Sequence, residues 1–157
     1  MAANESTKYT HFSNVEIGTA SGGGGLKVGG RYENLGGIMN ATGAVALTAA
    51  DSGKTIILNA AAGAAITLPA KAAGLKYKFI VGAAFATSNW TVTSTEGDNL
   101  EGSLIVAGAV VDVDAADALN FVATAENIGD FAEVFCDGTS WHTFGNALTA
   151  GGITATG

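Results

Sequence analysis

A glycine run followed by a lysine is the first pattern in this chain that could carry out chemistry. Residues 22–27 read GGGGLK, a composition similar to that of phosphate-binding loops. Such a loop needs Ser or Thr directly after its lysine and a helix N-terminus whose N–H groups point at the phosphate. Val28 follows Lys27 instead. The pattern therefore favours a flexible or closely packed backbone over a nucleotide site.

Three neighbouring aspartates are a candidate for cation binding. Asp112, Asp114 and Asp117 form the densest carboxylate cluster of the sequence. On a strand, Asp112 and Asp114 would share one face, where their oxygens could help to hold a hard cation such as Ca²⁺. The segment lacks the glycine and the twelfth-position glutamate of an EF-hand loop. A solvated strand end is the favoured interpretation, and no metal ligand is predicted.

The single cysteine, Cys136, and the imidazole of His142 could meet across a hairpin. Such a pair is catalytic only where the side chains touch and a third group orients the base. Cys136 ends the strand-like run FAEVFC, and unpaired cysteines are among the most buried residue types. One cysteine also excludes a disulfide within the chain. We expect a buried Cys136, a strand position for His142, no enzymatic activity, no catalytic residue and no cofactor.

Four aromatic residues could form a platform on which sugars stack: Tyr77, Phe85, Trp90 and Trp141. The competing interpretation is packing in a core or an interface. Tyr77 and Trp90 are in phase with aliphatic neighbours, and this favours packing.

Beyond residue 45, short β-type segments alternate with turn residues. Leu75, Tyr77, Phe79 and Val81 alternate with Lys76, Lys78 and Ile80, which predicts a strand with one buried face and one more solvated face. Gly108 predicts a bulge or turn within an extended segment, and the sequence DGT at residues 137–139 predicts a hairpin. About eight to ten strands at this spacing predict an all-β domain, a β-sandwich or jelly-roll-like fold, over residues 46–147. Residues 148–157 are mostly small and are expected to form a flexible tail, either loose or laid over a partner.

The first 45 residues differ in composition and contain ten of the 23 glycines. Ordering each residue costs about 1–2 kcal/mol, while burying one large apolar side chain returns only about 1.5–3 kcal/mol. We therefore expect residues 1–45 to form an extended glycine-rich arm that becomes ordered on partners, by strand addition between subunits. The expected partner-binding anchors of this arm are Tyr9, Phe12, Leu26, Tyr32, Ile38 and Met39.

The charge is distributed unevenly along the chain. The net charge is −7, and the first 45 residues contribute nothing to it because their acidic and basic residues are equal in number. Residues 96–137 contain ten carboxylates and neither lysine nor arginine. Long-range repulsion would oppose docking of this segment on nucleic acid or an anionic membrane. We therefore expect neither as a direct partner.

Two stretches resemble small virion proteins of tailed bacteriophages, capsid decoration (cement) proteins in particular. The first is LTAADSGKTIIL at residues 47–58, followed by AITLP at 65–69 and GLKYKF at 74–79, and the second is EVFCDGTSW at 133–141. The resemblance implies a β-sandwich that sits outside the major capsid protein, often as trimers at local three-fold positions. It implies no enzymatic residues.

The sequence and the resemblance together predict a virion structural protein. It would be made in the host cytoplasm, lie on the outer capsid surface as a homotrimer, and bridge neighbouring major capsid subunits without covalent bonds. The alternative is a tail-fibre or appendage module that binds a host receptor or glycan. That alternative predicts an exposed aromatic patch around Trp90 or Trp141.

Overall fold

A computed structural model describes residues 26–28, 31–33, 37–97 and 99–157. These ranges contain fourteen strands and one turn of 3₁₀ helix at Ala49–Asp51, so the prediction of an all-β fold is confirmed. None of the described residues lies in a helix that could cross a membrane. The strands are β1 (Leu26–Val28), β2 (Arg31–Glu33), β3 (Ile38–Ala41), β4 (Val45–Ala46), β5 (Thr55–Leu58), β6 (Ala65–Thr67), β7 (Lys76–Val81), β8 (Trp90–Thr93), β9 (Leu100–Val106), β10 (Ala109–Ala116), β11 (Ala118–Phe121), β12 (Phe131–Cys136), β13 (Trp141–Ala147) and β14 (Ile153–Thr156).

Two mixed sheets form a sandwich. The larger sheet has seven strands in the order β10-β9-β13-β12-β7-β5-β3, and the smaller has five in the order β14-β11-β8-β6-β4. Strands β3, β5 and β7 are parallel to one another, and so are β4, β6 and β8. The other neighbours are antiparallel except β13 and β9, which are parallel. Strands β1 and β2 form a separate antiparallel pair.

Residues 37–97, here called the coiled half, wind between the two sheets. Each odd-numbered strand from β3 to β7 lies in the larger sheet, and the strand that follows it in the chain lies in the smaller one. Each successive pair therefore makes one turn of a coil, as in solenoid proteins. Hydrogen bonds join the corners of adjacent turns: the Gly82 N–H donates to the Leu58 carbonyl and the Leu68 N–H to the Thr93 carbonyl, both at 2.9 Å.

The turns of the coil approach each other closely at Gly63. Its N–H donates to the Ser88 carbonyl at 3.2 Å, and the Ser88 hydroxyl donates to the Gly63 carbonyl at 3.1 Å. A Cβ at this position would clash with the backbone carbonyl oxygens of both Ser88 and Asn89. Only glycine permits this stacking of one turn on the next.

Residues 99–157, here called the hairpin half, contain two β-hairpins, β9–β10 and β12–β13, each closed by a tight turn. Strands β9 and β10 are connected at Ala107 and Gly108, whose φ angles are 50° and 80°. Strands β12 and β13 are connected by a turn in which Gly138 has a φ of 103°. The predicted turns at Gly108 and at residues 137–139 are therefore confirmed.

One hydrophobic core lies between the sheets and receives side chains from both halves. The predicted inward face of residues 75–81 is confirmed, because every second side chain from Leu75 to Val81 is buried. Trp90 from the coiled half and Trp141 from the hairpin half are completely buried. Cys136 is buried as predicted.

The sheets extend beyond the predicted limits of the domain at both ends. Strand β3 lies within the segment predicted as arm, yet it pairs with β5 and buries Ala41. Strand β14 lies within the segment predicted as a flexible tail, yet it pairs with β11 and buries Ile153. The prediction of a flexible tail is wrong because the small residues supply a turn, after which Ile153 enters the core.

Candidate functional site

The candidate site is the outer face of the larger sheet, defined as the side chains of its seven strands that point away from the core. Seven large hydrophobic side chains are exposed among the described residues, and five of them lie on this face: Ile38, Ile105, Val110, Phe135 and Phe144. Single exposed apolar residues are ordinary on protein surfaces, whereas a concentration on one face marks an interaction surface.

Strand pairing aligns the outer face in three rows that cross the strands. The apolar row consists of Val110, Ile105, Asn146, Phe131, Ile80, Ile57 and Asn40. The middle row consists of Asp112, Ser103, Phe144, Glu133, Lys78, Thr55 and Ile38. The histidine row consists of Glu101, His142, Phe135 and Lys76.

An ion pair and two aromatic rings fix the centre of the face. The Lys78 ammonium lies 2.8 Å from a carboxylate oxygen of Glu133 and 4.7 Å from the centroid of the Phe131 ring. The rings of Phe131 and Phe144 meet edge to face with centroids 6.3 Å apart. These contacts hold the Phe144 ring in place although about half of its surface is exposed.

The histidine row is anchored at the β12–β13 turn. His142 stacks on Phe135 with ring centroids 5.0 Å apart, and its Nε2 lies 3.0 Å from Oδ2 of Asp137. The other oxygen of Asp137 accepts the backbone N–H groups of Thr139 and Ser140 at 2.7 and 2.8 Å. The hydrogen bond with His142, followed by those from Ser140 and Thr139, holds the pKa of the Asp137 carboxyl well below its usual range. The ionised carboxylate thereby orients the His142 ring.

A groove of about 380 Å³ crosses the face and is lined by Lys54, Lys76, Lys78, Glu133, Phe135 and Phe144, among others. It contains three of the four lysines in residues 37–157. Lys54 pairs with Asp51 at 2.7 Å, and Lys78 pairs with Glu133. With Lys76 included, the groove is locally basic on a domain that is otherwise strongly acidic. Exposed phenylalanines beside lysines suit a partner surface that is both apolar and acidic.

The predicted arm anchors have different positions. Ile38 lies in the middle row with 71% of its surface exposed, whereas Met39 points inward and packs against the core of its own chain. Tyr32 lies opposite Lys27 in the β1–β2 pair, to which Leu26 also belongs. Tyr9 and Phe12 lie outside the described residues. Binding of a partner by these anchors stays a prediction.

The sugar-stacking platform is excluded, because Tyr77, Phe85, Trp90 and Trp141 are all buried. The favoured interpretation, packing in the core, is confirmed. Tyr77 and Trp141 contact each other with ring centroids 5.9 Å apart, and the Tyr77 hydroxyl donates to the Thr48 carbonyl at 2.9 Å. Burial raises the pKa of this hydroxyl well above its usual range.

Neither the pair of Cys136 and His142 nor the aspartate cluster on β10 forms a chemical site. Cys136 points into the core, while His142 belongs to the outer face, so a thiol–imidazole pair is excluded by the sheet between them. Asp112 and Asp114 are exposed on β10. Within the described ranges, no three histidine, cysteine, aspartate or glutamate side chains gather as a metal site.

Sequence reasoning missed the residues that dominate the face, Phe135, Phe144, Ile105 and Val110. A signal was present: β12 is largely apolar on both faces, with Ala132 and Val134 inside and with Phe131 and Phe135 on either side of Glu133 outside. A strand that is apolar on both faces is covered on both faces in many folds, yet β12 is covered on one side only.

The outer face of the smaller sheet differs from that of the larger sheet, because it is lined largely by threonines: Thr67, Thr91, Thr93, Thr154 and Thr156.

Comparison of the chain with protein-family models, curated proteins and solved structures found no match.

Proposed function

We propose that this chain is a structural subunit of a larger protein assembly and that it binds neighbouring subunits through the outer face of its larger sheet. In its specific form, the proposal is a decoration protein of a tailed-bacteriophage capsid, which bridges major capsid subunits without covalent bonds. The specific form depends on the resemblance of residues 47–79 and 133–141 to decoration proteins.

The concentration of exposed apolar side chains on one sheet face carries the proposal. Burying a large apolar side chain contributes about 1.5–3 kcal/mol, so five such residues on one rigid face are a substantial source of binding free energy. The aromatic rings of Phe135 and Phe144 lie at the centre of the face, and the ion pair of Lys78 with Glu133 lies between apolar positions. Aromatic residues near the centre of a patch are typical anchors of protein interfaces.

The edge of the larger sheet offers a second contact for a neighbour. Among the described residues, β3 pairs only with β5, so the other edge of β3 is open to strand addition. Residues 1–36 precede this edge in the chain, and we propose that they bind along adjacent subunits. The resemblance implies that the oligomer is a homotrimer and that it lies on the outer capsid surface.

Two variants test the proposal on expanded capsids that have been stripped of this protein. Deletion of residues 1–36 removes the arm and keeps β3, whereas a deletion through residue 40 would remove most of an edge strand. Phe135→Ser combined with Phe144→Ser removes the exposed rings without touching the core. We expect the deletion to abolish co-sedimentation with the capsids and the double substitution to weaken it at least tenfold, because burial of two rings is lost.

Thr91→Ser combined with Thr93→Ser, on the outer face of the smaller sheet, is the matched control and should bind normally. Near-ultraviolet circular dichroism would verify that each variant is folded. Failure of the intact chain to bind capsids would contradict the specific proposal. Binding that is unaffected by the loss of both rings would contradict the assignment of the outer face. Specific binding to a glycan array without capsid binding would support the receptor-binding alternative instead.

A further inference from the structure

We propose that the outer face of the larger sheet binds the same face of a second copy of this chain, related by a two-fold axis parallel to β13. This inference rests on the proposed function in one respect, namely that the outer face is a protein-binding face. It names the partner that this face takes and the residues that meet.

Five of the seven strands, those from β10 to β7, are arranged symmetrically about β13, while β5 and β3 lie outside this group. In the series β10-β9-β13-β12-β7, strand β13 is central. A half-turn about an axis that lies between two facing sheets and runs along β13 places β10 of one copy over β7 of the other, and β9 over β12. The same half-turn keeps every residue at its level along the strands, so each row of side chains meets its own reversed copy. Facing sheets commonly pack in such an aligned orientation, and two-fold contacts are the commonest in protein oligomers.

The middle row is complementary to its own reversal in charge. Asp112 of one copy lies opposite Lys78 of the other, and Ser103 lies opposite Glu133. Phe144, on the central strand, lies opposite Phe144 of the second copy. Each ion pair and each hydrogen bond occurs twice because the contact is symmetric.

The apolar row meets its own reversed copy in apolar contacts, whereas the half-turn places Glu101 of the histidine row opposite Phe135, and His142 opposite His142. In the apolar row, Val110 lies opposite Ile80 and Ile105 lies opposite Phe131. Next to the histidine row, exposed Asp114 follows Asp112 by two residues, as Lys76 precedes Lys78 by two. Side chains two residues apart on a strand are about 7 Å apart and on the same face. Val110 and Asp112 along β10 therefore meet Ile80 and Lys78 along β7. The register of β10 on β9 shifts between Val113 and Ala116, and the exposed Asp114 lies in this irregular stretch, next to the level of Lys76 in the other copy.

Other placements lose this complementarity. Moving the axis by half a strand spacing, to a position between β13 and β12, places Phe144 over Glu133 and Asp112 over Thr55, so the ion pairs disappear. An axis that crosses the strands places β7 over β7, which brings Lys76 and Lys78 of one copy close to the same lysines of the other. Like charges in contact oppose association. Of these arrangements, only the axis along β13 joins opposite charges and apolar side chains at the same time.

The size of the contact sets the expected affinity. Five strands at a spacing of about 4.8 Å and rows that span about 20 Å give a footprint of roughly 500 Å² per copy. Standard stable interfaces bury about 800 Å² per partner. We therefore expect a weak dimer in solution, with a Kd on the order of 100 µM, which other contacts reinforce inside an assembly. A three-fold ring would instead require two different surfaces on each copy.

A charge-swap experiment with the full chain tests the inference by sedimentation velocity over a range of concentrations. One variant carries Asp112→Lys and Asp114→Lys, and the other carries Lys76→Glu and Lys78→Glu. Each variant alone places like charges opposite each other, so we expect dimerisation to weaken at least tenfold. An equimolar mixture restores every opposite-charge contact, so a one-to-one heterodimer should form with about the affinity of the original chain.

Lys78→Glu also removes the intrachain pair with Glu133, so Lys76→Glu alone serves as the milder variant if folding suffers. Lys71→Glu is its matched control, because it changes the net charge equally outside the groove and should leave dimerisation unchanged. As a second measurement, cysteine introduced by Asn146→Cys lies on the proposed axis. It should cross-link to its own copy through a short bis-maleimide, whereas Thr154→Cys should not.

A chain that remains monomeric at concentrations on the order of 1 mM would overturn the inference. Dimers that tolerate both charge reversals, or a mixture that fails to form heterodimers, would overturn it as well. A monomeric chain that still binds capsids through Phe135 and Phe144 would leave the proposed function standing without this pairing. Charge-dependent dimers that do not bind capsids would leave the pairing standing without the capsid function.

Discussion

The coiled half and the hairpin half build the same two sheets by different connections. In the coiled half, the chain passes to the other sheet after every strand, so neighbours within a sheet are parallel and distant in sequence. In the hairpin half, β9–β10 and β12–β13 are neighbours in both chain and sheet. The two halves nevertheless share one core, with a fully buried tryptophan from each.

Each half is specified by a different kind of constraint. Tight turns with left-handed glycines, such as Gly108 and Gly138, set the register of the hairpins locally. Close backbone contact between turns, as at Gly63, sets the register of the coil through residues distant in sequence. Because the core is common, we expect the two halves to unfold together.

The largest expected effects come from adding one methyl group to a glycine in each half. Gly63→Ala clashes with the carbonyl oxygens of Ser88 and Asn89, and Gly102→Ala clashes with that of Thr143 at a φ of 138°. We expect each to lower the free energy of unfolding by about 3 kcal/mol or more, because overpacking against backbone cannot relax. Gly43→Ala, which has open space around it, is the control.

Urea denaturation would measure these changes, and hydrogen exchange would map them. Amides of both halves should lose protection to the same extent in either variant, because a shared core makes unfolding cooperative. Loss of protection confined to the half that carries the substitution would contradict a common folding unit.

An intermediate effect is expected from the two buried tryptophans, each of which reports on its own half. Trp90→Phe leaves Trp141 as the reporter of the hairpin half, and Trp141→Phe leaves Trp90 as the reporter of the coiled half. We expect a loss of about 2 kcal/mol for each because the ring becomes smaller. Among the described residues neither indole N–H has a hydrogen-bond partner, so no hydrogen bond is lost with the ring.

The measurement is fluorescence during denaturation, compared with far-ultraviolet circular dichroism. The two signals should give the same midpoint in each variant, as two-state unfolding requires. Separate transitions reported by Trp90 and Trp141 would show that the two halves unfold independently, and would contradict a single cooperative unit built on the shared core.

The smallest expected effects come from two carboxylates, Asp51 in the coiled half and Asp137 in the hairpin half. Burial raises the pKa of Asp51, but its hydrogen bonds with Lys54 and Thr48 outweigh burial and lower the pKa overall. The pKa of Asp137 is lowered further, chiefly by His142. A lowered pKa in the folded state stabilises the protein above the unfolded-state value of about 3.9, and this contribution is lost as the pH falls through the folded-state pKa.

We therefore expect Asp51→Asn and Asp137→Asn to lower the Tm slightly at neutral pH. The difference from the original chain should vanish in strong acid, where both carboxyls are protonated. The effect of Asp137→Asn should persist to lower pH than that of Asp51→Asn. Thermal melts from neutral to strongly acidic pH would measure this, and a difference that grows in acid would contradict the assigned direction of both shifts.

The parts of the fold that were predictable from sequence depend on local patterns. The alternation at residues 75–81 identified the inward side chains of β7, and Gly108 and the DGT sequence identified two turns. The passage of β3 to β8 between sheets was not predictable, because alternation marks a strand without naming its neighbour. The strand at Ile153–Thr156 escaped prediction because burial of Ile153 depends on contacts with distant residues.

The candidate site was predictable only in part. Ile38 was singled out and lies on the outer face, but Phe135 and Phe144 were not, since an aromatic residue in a strand is more often buried than exposed. Which side of a strand faces the core and which faces solvent is decided by tertiary structure. The middle row, for example, joins residues as distant in sequence as Ile38 and Phe144 through a series of strand pairings, and was therefore beyond any local pattern.

The coil leaves the molecule extensible. Strands β3 and β4 are the edge strands of the two sheets at the same end of the sandwich. Each later turn of the coil pairs with the turn before it, and among the described residues the outer edge of the first turn is free to pair with one more turn. A tandem duplication of residues 55–75 would add one rung to each sheet and widen the protein by about 4.8 Å. The hairpin half would be untouched. Growth by whole rungs gives this architecture a simple route to subunits of graded length, through copying of a short stretch of gene.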